Sequence, residues 1–240
     1  DPDYRLYQAA GPHLWFLILN LREGPLADPR VRRAVNLAID RRALVDQVLQ
    51  GTAEVATGAV PAAFAWAHDP DLPPWPHDPA AARRLLEAAG AVGAELTFYV
   101  TRGGSGMLSP VAMAAAIQAD LAAIGLQVRI ESFEWNAYLA RVNAGLAGQA
   151  DMAEMAWMTN DPDTLPFLAL RRDAMPEKGG FNSGYYESEA ADRLIAAARR
   201  TADRDERAAL YRRLQRQLRE DMPWAPIASW KQNAVTTDRV

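Results

Sequence analysis

The sequence predicts an α/β fold, a mixed sheet flanked by helices, on three observations. Short apolar runs rich in branched and aromatic residues alternate with longer segments of helical period. Helix starts repeat one signature, Asp or Ser followed by Pro, at Asp28-Pro29, Asp78-Pro79 and Ser109-Pro110. Strand 95–101, helix 110–124 and strand 126–133 have the length of a βαβ unit, for which a right-handed crossover and parallel pairing are expected.

The apolar run at 13–20, closed by Gly24-Pro25, reads as a buried strand. Asp28-Pro29 opens a helix with Val31, Val35 and Ala38 on one face, and Asp40 caps a second with Leu44, Val45, Val48 and Leu49 inside and Gly51 ending it. From Gly58 to Pro79 the pattern is lost among six prolines, three Trp or Phe and two His, which describes a packed surface loop. Asp78-Pro79 then starts a helix striped by Ala82, Leu85, Leu86 and Ala89 and stopped by Gly90. Leu96, Phe98 and Val100 alternate with polar neighbours, the pattern of a half-buried strand. Met113, Ile117, Leu121 and Ile124 face inward on the next helix, and Val128 and Ile130 continue as a strand. A helix from Glu134 to Gly145 turns Trp135, Tyr138, Leu139 and Val142 inward, and a further strand follows at 151–157. Two helices near 188–200 and 203–221 carry stripes at Ala191, Leu194, Ile195 and Ala198 and at Leu210, Leu214 and Leu218, with Arg- and Glu-rich outer faces. Residues 223–228 form a last extended segment.

The length of 240 residues fits one large domain or two small ones at about 150 residues per domain. Half the residues are apolar and 23% are charged, enough apolar chain for a real core, so disorder, collagen and coiled coil are excluded. The net charge of −4 argues against a dedicated nucleic-acid binder. No apolar run reaches the length of a transmembrane helix. The opening Asp1-Pro2-Asp3, without initiator Met or apolar leader, reads as that of a processed or excised chain. The absence of Cys removes disulfides, thiolate metal sites and cysteine nucleophiles, and suits an oxidising compartment. Lys occurs only at 178 and 231, so nearly all positive charge is Arg.

Few residues point to bond chemistry. His13, His68 and His77 lack partners at helical ligand spacing, no metal site is expected, and no phosphate loop or nucleophile elbow is present. Arg102 opens a Gly-rich turn whose N–H groups suit an anion, although a plain strand-to-helix turn explains it more simply. Asp161-Pro-Asp163 repeats the turn starters Asp69-Pro-Asp71 and Asp1-Pro-Asp3. It differs in following a strand that ends in Trp157, and ligands collect at the carboxyl ends of strands in open α/β sheets. Two readings stand for that stretch: an aromatic face beside a carboxylate that takes an apolar ligand with a cationic head, and a core Trp capped by a solvated turn.

Five segments, in order, resemble extracytoplasmic solute-binding proteins of family 5, the dipeptide, oligopeptide and nickel binders of ABC importers. They are residues 29–45 (PRVRRAVNLAIDRRALV), 77–90 (HDPAAARRLLEAAG), 117–131 (IQADLAAIGLQVRIE), 134–139 (EWNAYL), and 203–211 with 220–227 (DRDERAALY and EDMPWAPI). The resemblance implies a type II periplasmic-binding-protein lobe, with residues 1–240 as the second, C-terminal lobe of two that close over a solute. It implies a non-enzymatic, monomeric, cofactor-free component in the periplasm or outside the cytoplasmic membrane, with room for a lipid anchor in the full-length protein. Its partners would be a small solute, a peptide above all, the N-terminal lobe and the permease subunits.

In the dipeptide-binding branch a Trp-Thr-Gly-Asp stretch supplies a pocket Trp and the Asp that meets the peptide ammonium. The matching residues here are Trp157, Met158, Thr159, Asn160 and Asp161, so Asn160 stands where the carboxylate is expected and Asp161 follows one position late. An Asn hydrogen-bonds an ammonium without neutralising it. The residues the resemblance puts at the cleft are therefore Trp157, Asn160 and Asp161, with Trp135 and Arg102 beside them. Asn182-Ser-Gly-Tyr185 matches the family's turn before the penultimate helix, with Glu187-Ser188 in place of its usual Asn-Pro. Two rival functions are a metal-assisted hydrolase built from His68, His77, Asp69 and Asp71, and a transporter-docking module using Arg199, Arg200 and Arg212.

Overall fold

The computed structural model describes residues 4–237; the Asp1-Pro-Asp3 turn lies outside them. The strands are β1 (Tyr4–Ala10), β2 (His13–Leu19), β3 (Ala53–Val55), β4 (Glu95–Thr101), β5 (Gln127–Phe133), β6 (Met152–Met158) and β7 (Trp224–Thr237). The helices are α1 (Pro29–Ala38), the single turn α2 (Arg41–Ala43), α3 (Pro79–Ala89), α4 (Pro110–Ala123), α5 (Trp135–Asn143), α6 (Thr164–Ala169), α7 (Glu189–Arg200) and α8 (Arg204–Asp221). None of these helices is long and apolar enough to cross a membrane.

The strands form one sheet in the order β1-β7-β2-β6-β4-β5, with β3 paired to β7. The βαβ expectation holds: β5 runs parallel to β4 from Glu95 opposite Gln127 to Thr101 opposite Phe133. β6 is also parallel to β4, and β2 is antiparallel to both β6 and β7. The mixed sheet therefore has a parallel half and an antiparallel half that meet at β6.

Alternation along the central strands divides the core between two faces. Trp15, Leu17 and Leu19 of β2 join Met152 and Ala156 of β6 beneath α1, α3 and α4. Leu14, Phe16 and Ile18 join Ala153 and Met155 beneath α5, α7 and α8. A strand covered on both faces reads as a continuous apolar run, which is why 13–19 has no polar alternation. β4 departs from its expected half-burial for the same reason: Tyr99 and Thr101 are buried too. α5 lies over that second face, where Tyr99 packs edge-on against Phe133 at 4.9 Å.

The caps read from sequence form. Asp28 accepts from Arg30 N–H, Asp40 from Ala43 N–H and Asp78 from Ala81 N–H, and Gly90 closes α3 in the left-handed conformation at φ 67°. Ser109 departs from this, sitting at φ 46° with no side-chain bond to its helix. The helix expected after Asp40 widens after one turn into a π segment, Leu44–Val48. Residues 58–78 form no helix or strand and pack on α8, where the Gln215 side-chain amide donates to Ala67 O at 3.0 Å.

Three stretches of strand were not legible: β1, the short β3 and the outer half of β7. β1 is exposed along its whole length, and β7 runs far beyond the expected 223–228, its outer half pairing β1 as a two-stranded ribbon. Backbone hydrogen bonds hold that ribbon without a buried face, so no apolar period marks it.

Candidate functional site

The parallel strands β4, β5 and β6 end on the same edge of the sheet, and their following segments converge there. β4 leads into the Gly-rich turn with Ser105 and Gly106, β5 into α5 with Trp135 and Leu139, and β6 ends at Trp157 and Met158. Together with His13, Asn143, Met155, Ala156 and Phe181 they line an open groove of about 420 Å³. That is the size of a small-solute site, placed where α/β sheets put them. A second open groove of about 490 Å³ lies between α7 and α8 among Arg193, Arg213, Arg216 and Glu220, away from the strand ends, and the pocket between Trp75, Leu218 and Trp224 holds only about 20 Å³.

Each wall has a local cause. β2 and β6 pair with His13 opposite Met158 and Leu14 opposite Trp157, and Thr159 N–H donates to Pro12 O at 3.3 Å, so the mouth of the groove is the closed end of this ladder. The Trp157 ring meets Phe181 edge-on at 5.4 Å, which fixes its plane. Trp135 stacks at 6.0 Å on buried Tyr138. A side chain at Gly104 would begin 2.3 Å from the Trp135 ring, so the glycine lets the turn lie on that indole. The same turn gives Gly106 O to the Trp230 indole N–H at 2.7 Å. Gly104 thus serves close packing, while Gly106 takes a left-handed backbone at φ 76°.

Of the residues expected at the cleft, Trp157 and Trp135 line the groove and the other three do not. Asn160 is exposed just past the mouth and makes no side-chain hydrogen bond among the described residues. Asp161 is committed elsewhere: Oδ1 accepts the Asp163 N–H at 2.9 Å and an Arg207 N–H at 2.9 Å. The side chain of Arg102 is exposed, and its backbone N–H donates to Phe133 O at 2.9 Å. His13, Ser105, Asn143 and Phe181 were not anticipated. Ser105 follows a strand end and was open to the rule that singled out Trp157. His13 becomes visible only once β2 is known to pair with β6, and Phe181 carries no local signal.

Two acids near the groove are perturbed by burial. Glu154 lies wholly inside the sheet, and desolvation pushes its carboxyl up to about 8, against one bond from Thr101 N–H at 2.9 Å. Its second oxygen has no partner among the described residues. Burial also raises Asp163, which pairs with Arg199. Burial lowers His13, leaving a neutral imidazole at neutral pH.

The rival sets are not assembled. Asp69 takes two bonds from Arg216, at 2.7 and 3.2 Å, and Asp71 also faces that guanidinium at 3.5 Å. The His68 ring is held by Val60 O at 2.9 Å and His77 stands 3.4 Å from Asp40, so the two aspartates share Arg216 while each histidine has a different partner. Of the proposed docking arginines, Arg199 is spent on Asp163 and on the Phe167 ring at 3.5 Å.

The family model of bacterial extracellular solute-binding proteins, family 5, middle region, matches residues 1–175. This chain belongs to that family. Probable di/tripeptide-binding protein 5 of Pseudomonas aeruginosa is 34% identical over 94% of this chain and 42% of its own length. Heme-binding protein A of Haemophilus influenzae is 28% identical over 95% of the chain and 41% of its own length. Among solved structures, HbpA2 from Haemophilus parasuis superimposes on the whole chain with a TM-score of 0.91 at 29% identity. DppA from Helicobacter pylori, in complex with the peptide STSA, does so with 0.86 at 30% identity, and each match covers 46% of the solved chain. The fold is that of a type II periplasmic-binding-protein lobe. The chain spans less than half the length of these family 5 relatives.

Proposed function

We propose that this chain is the second lobe of a two-lobed solute-binding component of an ABC importer, working outside the cytoplasmic membrane and capturing short peptides between its lobes. The observation that carries this is the groove itself: three strand ends converge on an aromatic wall of about 420 Å³ that is open on one side. A half-open site buries only part of a ligand, so the opposing lobe supplies the remaining contacts and the desolvation. Peptide is favoured because several relatives are named as di/tripeptide-binding proteins and a similar structure holds a peptide.

In this reading Trp157 and Trp135 form the apolar wall, Asn160 offers its amide at the rim, and nothing in the groove acts as nucleophile or metal ligand. The protein works by closure rather than catalysis, as a monomer that hands its solute to permease subunits. Thermal-shift titration of di- to hexapeptides, nickel chelates and oligosaccharides tests it, on this chain alone and on the protein carrying both lobes. Stabilisation by peptides of the two-lobed protein only is expected. Strong stabilisation of the single chain overturns the half-site reading, and a response to another solute class alone overturns peptide.

A further inference from the structure

The wall of the groove is uncharged. Its polar groups are His13, Ser105 and Asn143, set among Trp, Phe, Met, Leu and Ala side chains, and His13 is neutral at neutral pH. None of the acids on the segments that frame the groove is among its lining residues. Glu134 Oε2 accepts the Asn136 N–H at 3.0 Å as the cap of α5. Glu154 is inside the sheet on Thr101 N–H. Asp161 is held by Arg207 and by its own turn, and Asp163 by Arg199. Just past Met158 the exposed amide of Asn160 has no hydrogen-bond partner among the described residues, and the side chain of Arg102 is exposed on the Gly-rich turn.

An ammonium group seated on such a wall would shed water and meet no carboxylate, at a cost that neutral hydrogen bonds recover only in part. A carboxylate there would meet no Lys or Arg among the lining residues. We propose that this lobe selects peptides whose seated end is uncharged, such as those with an acylated amino terminus, and so lacks the free-amine requirement that a paired carboxylate would impose. Asn160 is the specificity-determining position: its amide receives a neutral amide end, and Asp161 is a counter-ion of α8. The proposal rests on the peptide reading above.

The test is calorimetric titration, at pH 7, of the two-lobed protein with one tripeptide in its free-amine and N-acetyl forms. The wild type should bind the acetylated form as tightly as the free amine or tighter, to within threefold. Asn160→Asp, which restores a carboxylate at the rim, should shift the ratio at least tenfold toward the free amine. A wild-type preference for the free amine above tenfold overturns the proposal, and Asp161→Asn then shows whether Asp161 supplies the charge after all. An unchanged ratio in Asn160→Asp also overturns it. Binding of neither peptide, with another solute bound, removes the peptide reading itself and is thus distinguishable from failure of this inference.

Discussion

The two Asp-Pro-Asp turns, 69–71 and 161–163, share a sequence and much of a geometry, yet α8 treats them differently. In both, the first Asp accepts the N–H of the third residue, at 3.3 Å from Asp71 and at 2.9 Å from Asp163. In both, an arginine of α8 closes on that first Asp: Arg216 on Asp69, Arg207 on Asp161. In the first turn Asp69 alone is buried, its side chain held under a two-bond guanidinium, while Pro70 and Asp71 are exposed. The second reverses this: the Asp161 side chain is 43% exposed and met by one arginine bond, while Pro162 and Asp163 are buried. The tripeptide thus specifies a turn, and burial decides what its carboxylate is worth. At the groove this means that Asp161 already has an arginine of its own fold as partner.

Glu154 sharpens the contrast by being a buried acid with no cation, and it should give the largest effect. Its carboxyl sits near 8 in the folded protein against an ordinary value of 4.5. Between those pH values the folded state holds a proton that the unfolded state has released, so stability falls as pH rises, by on the order of 1.4 kcal/mol per pH unit. Glu154→Gln keeps an acceptor for Thr101 N–H and removes the titration. Denaturant melts from pH 5 to 8 should show the variant gaining steadily on the wild type, and parallel curves would refute the assignment.

Asp69→Asn comes next, with an expected loss of about 1–2 kcal/mol at neutral pH, because a buried acceptor loses its charge-assisted bonds while Arg216 keeps its access to water. The Arg216 bonds hold the Asp69 carboxyl below its ordinary 3.8. Its contribution is therefore present above that value and disappears as pH falls through the lowered folded-state value, so wild type and variant should converge in acid. Asp161→Asn should cost under about 1 kcal/mol, the range of exposed pairs, and thermal melts of the two variants side by side would break the comparison if their order reversed. The smallest effect belongs to Arg83→Ala on α3, whose i,i+4 partner Glu87 is as exposed as itself. Its removal should change stability by under about 0.5 kcal/mol.

The fold was legible wherever burial imposed a period or a cap fixed a helix start. Asp28, Asp40 and Asp78 announced their helices because a short acceptor ahead of Pro or Arg satisfies orphan N–H groups locally. β1 and the outer half of β7 were not, because their partners lie more than 220 residues apart and nothing apolar is hidden between them. The groove was half legible. Trp157 and Asp161 were singled out by the same strand end and the same resemblance, and the Arg207 bond to Asp161 was not visible because it comes from a helix residue 46 positions away. Phe181, the ring that fixes Trp157, is a tertiary contact with no trace in its own neighbourhood.

The central claim is that aromatic surface, not the neighbouring carboxylate, is this lobe's contribution to binding. Peptide affinity of the two-lobed protein, measured by calorimetry for Trp157→Ala and Asp161→Asn, tests it most directly. Trp157→Ala should weaken binding at least about tenfold, as loss of a central aromatic anchor does, and Asp161→Asn should stay within about threefold of wild type. Loss of binding in Asp161→Asn with Trp157→Ala unaffected would contradict the account.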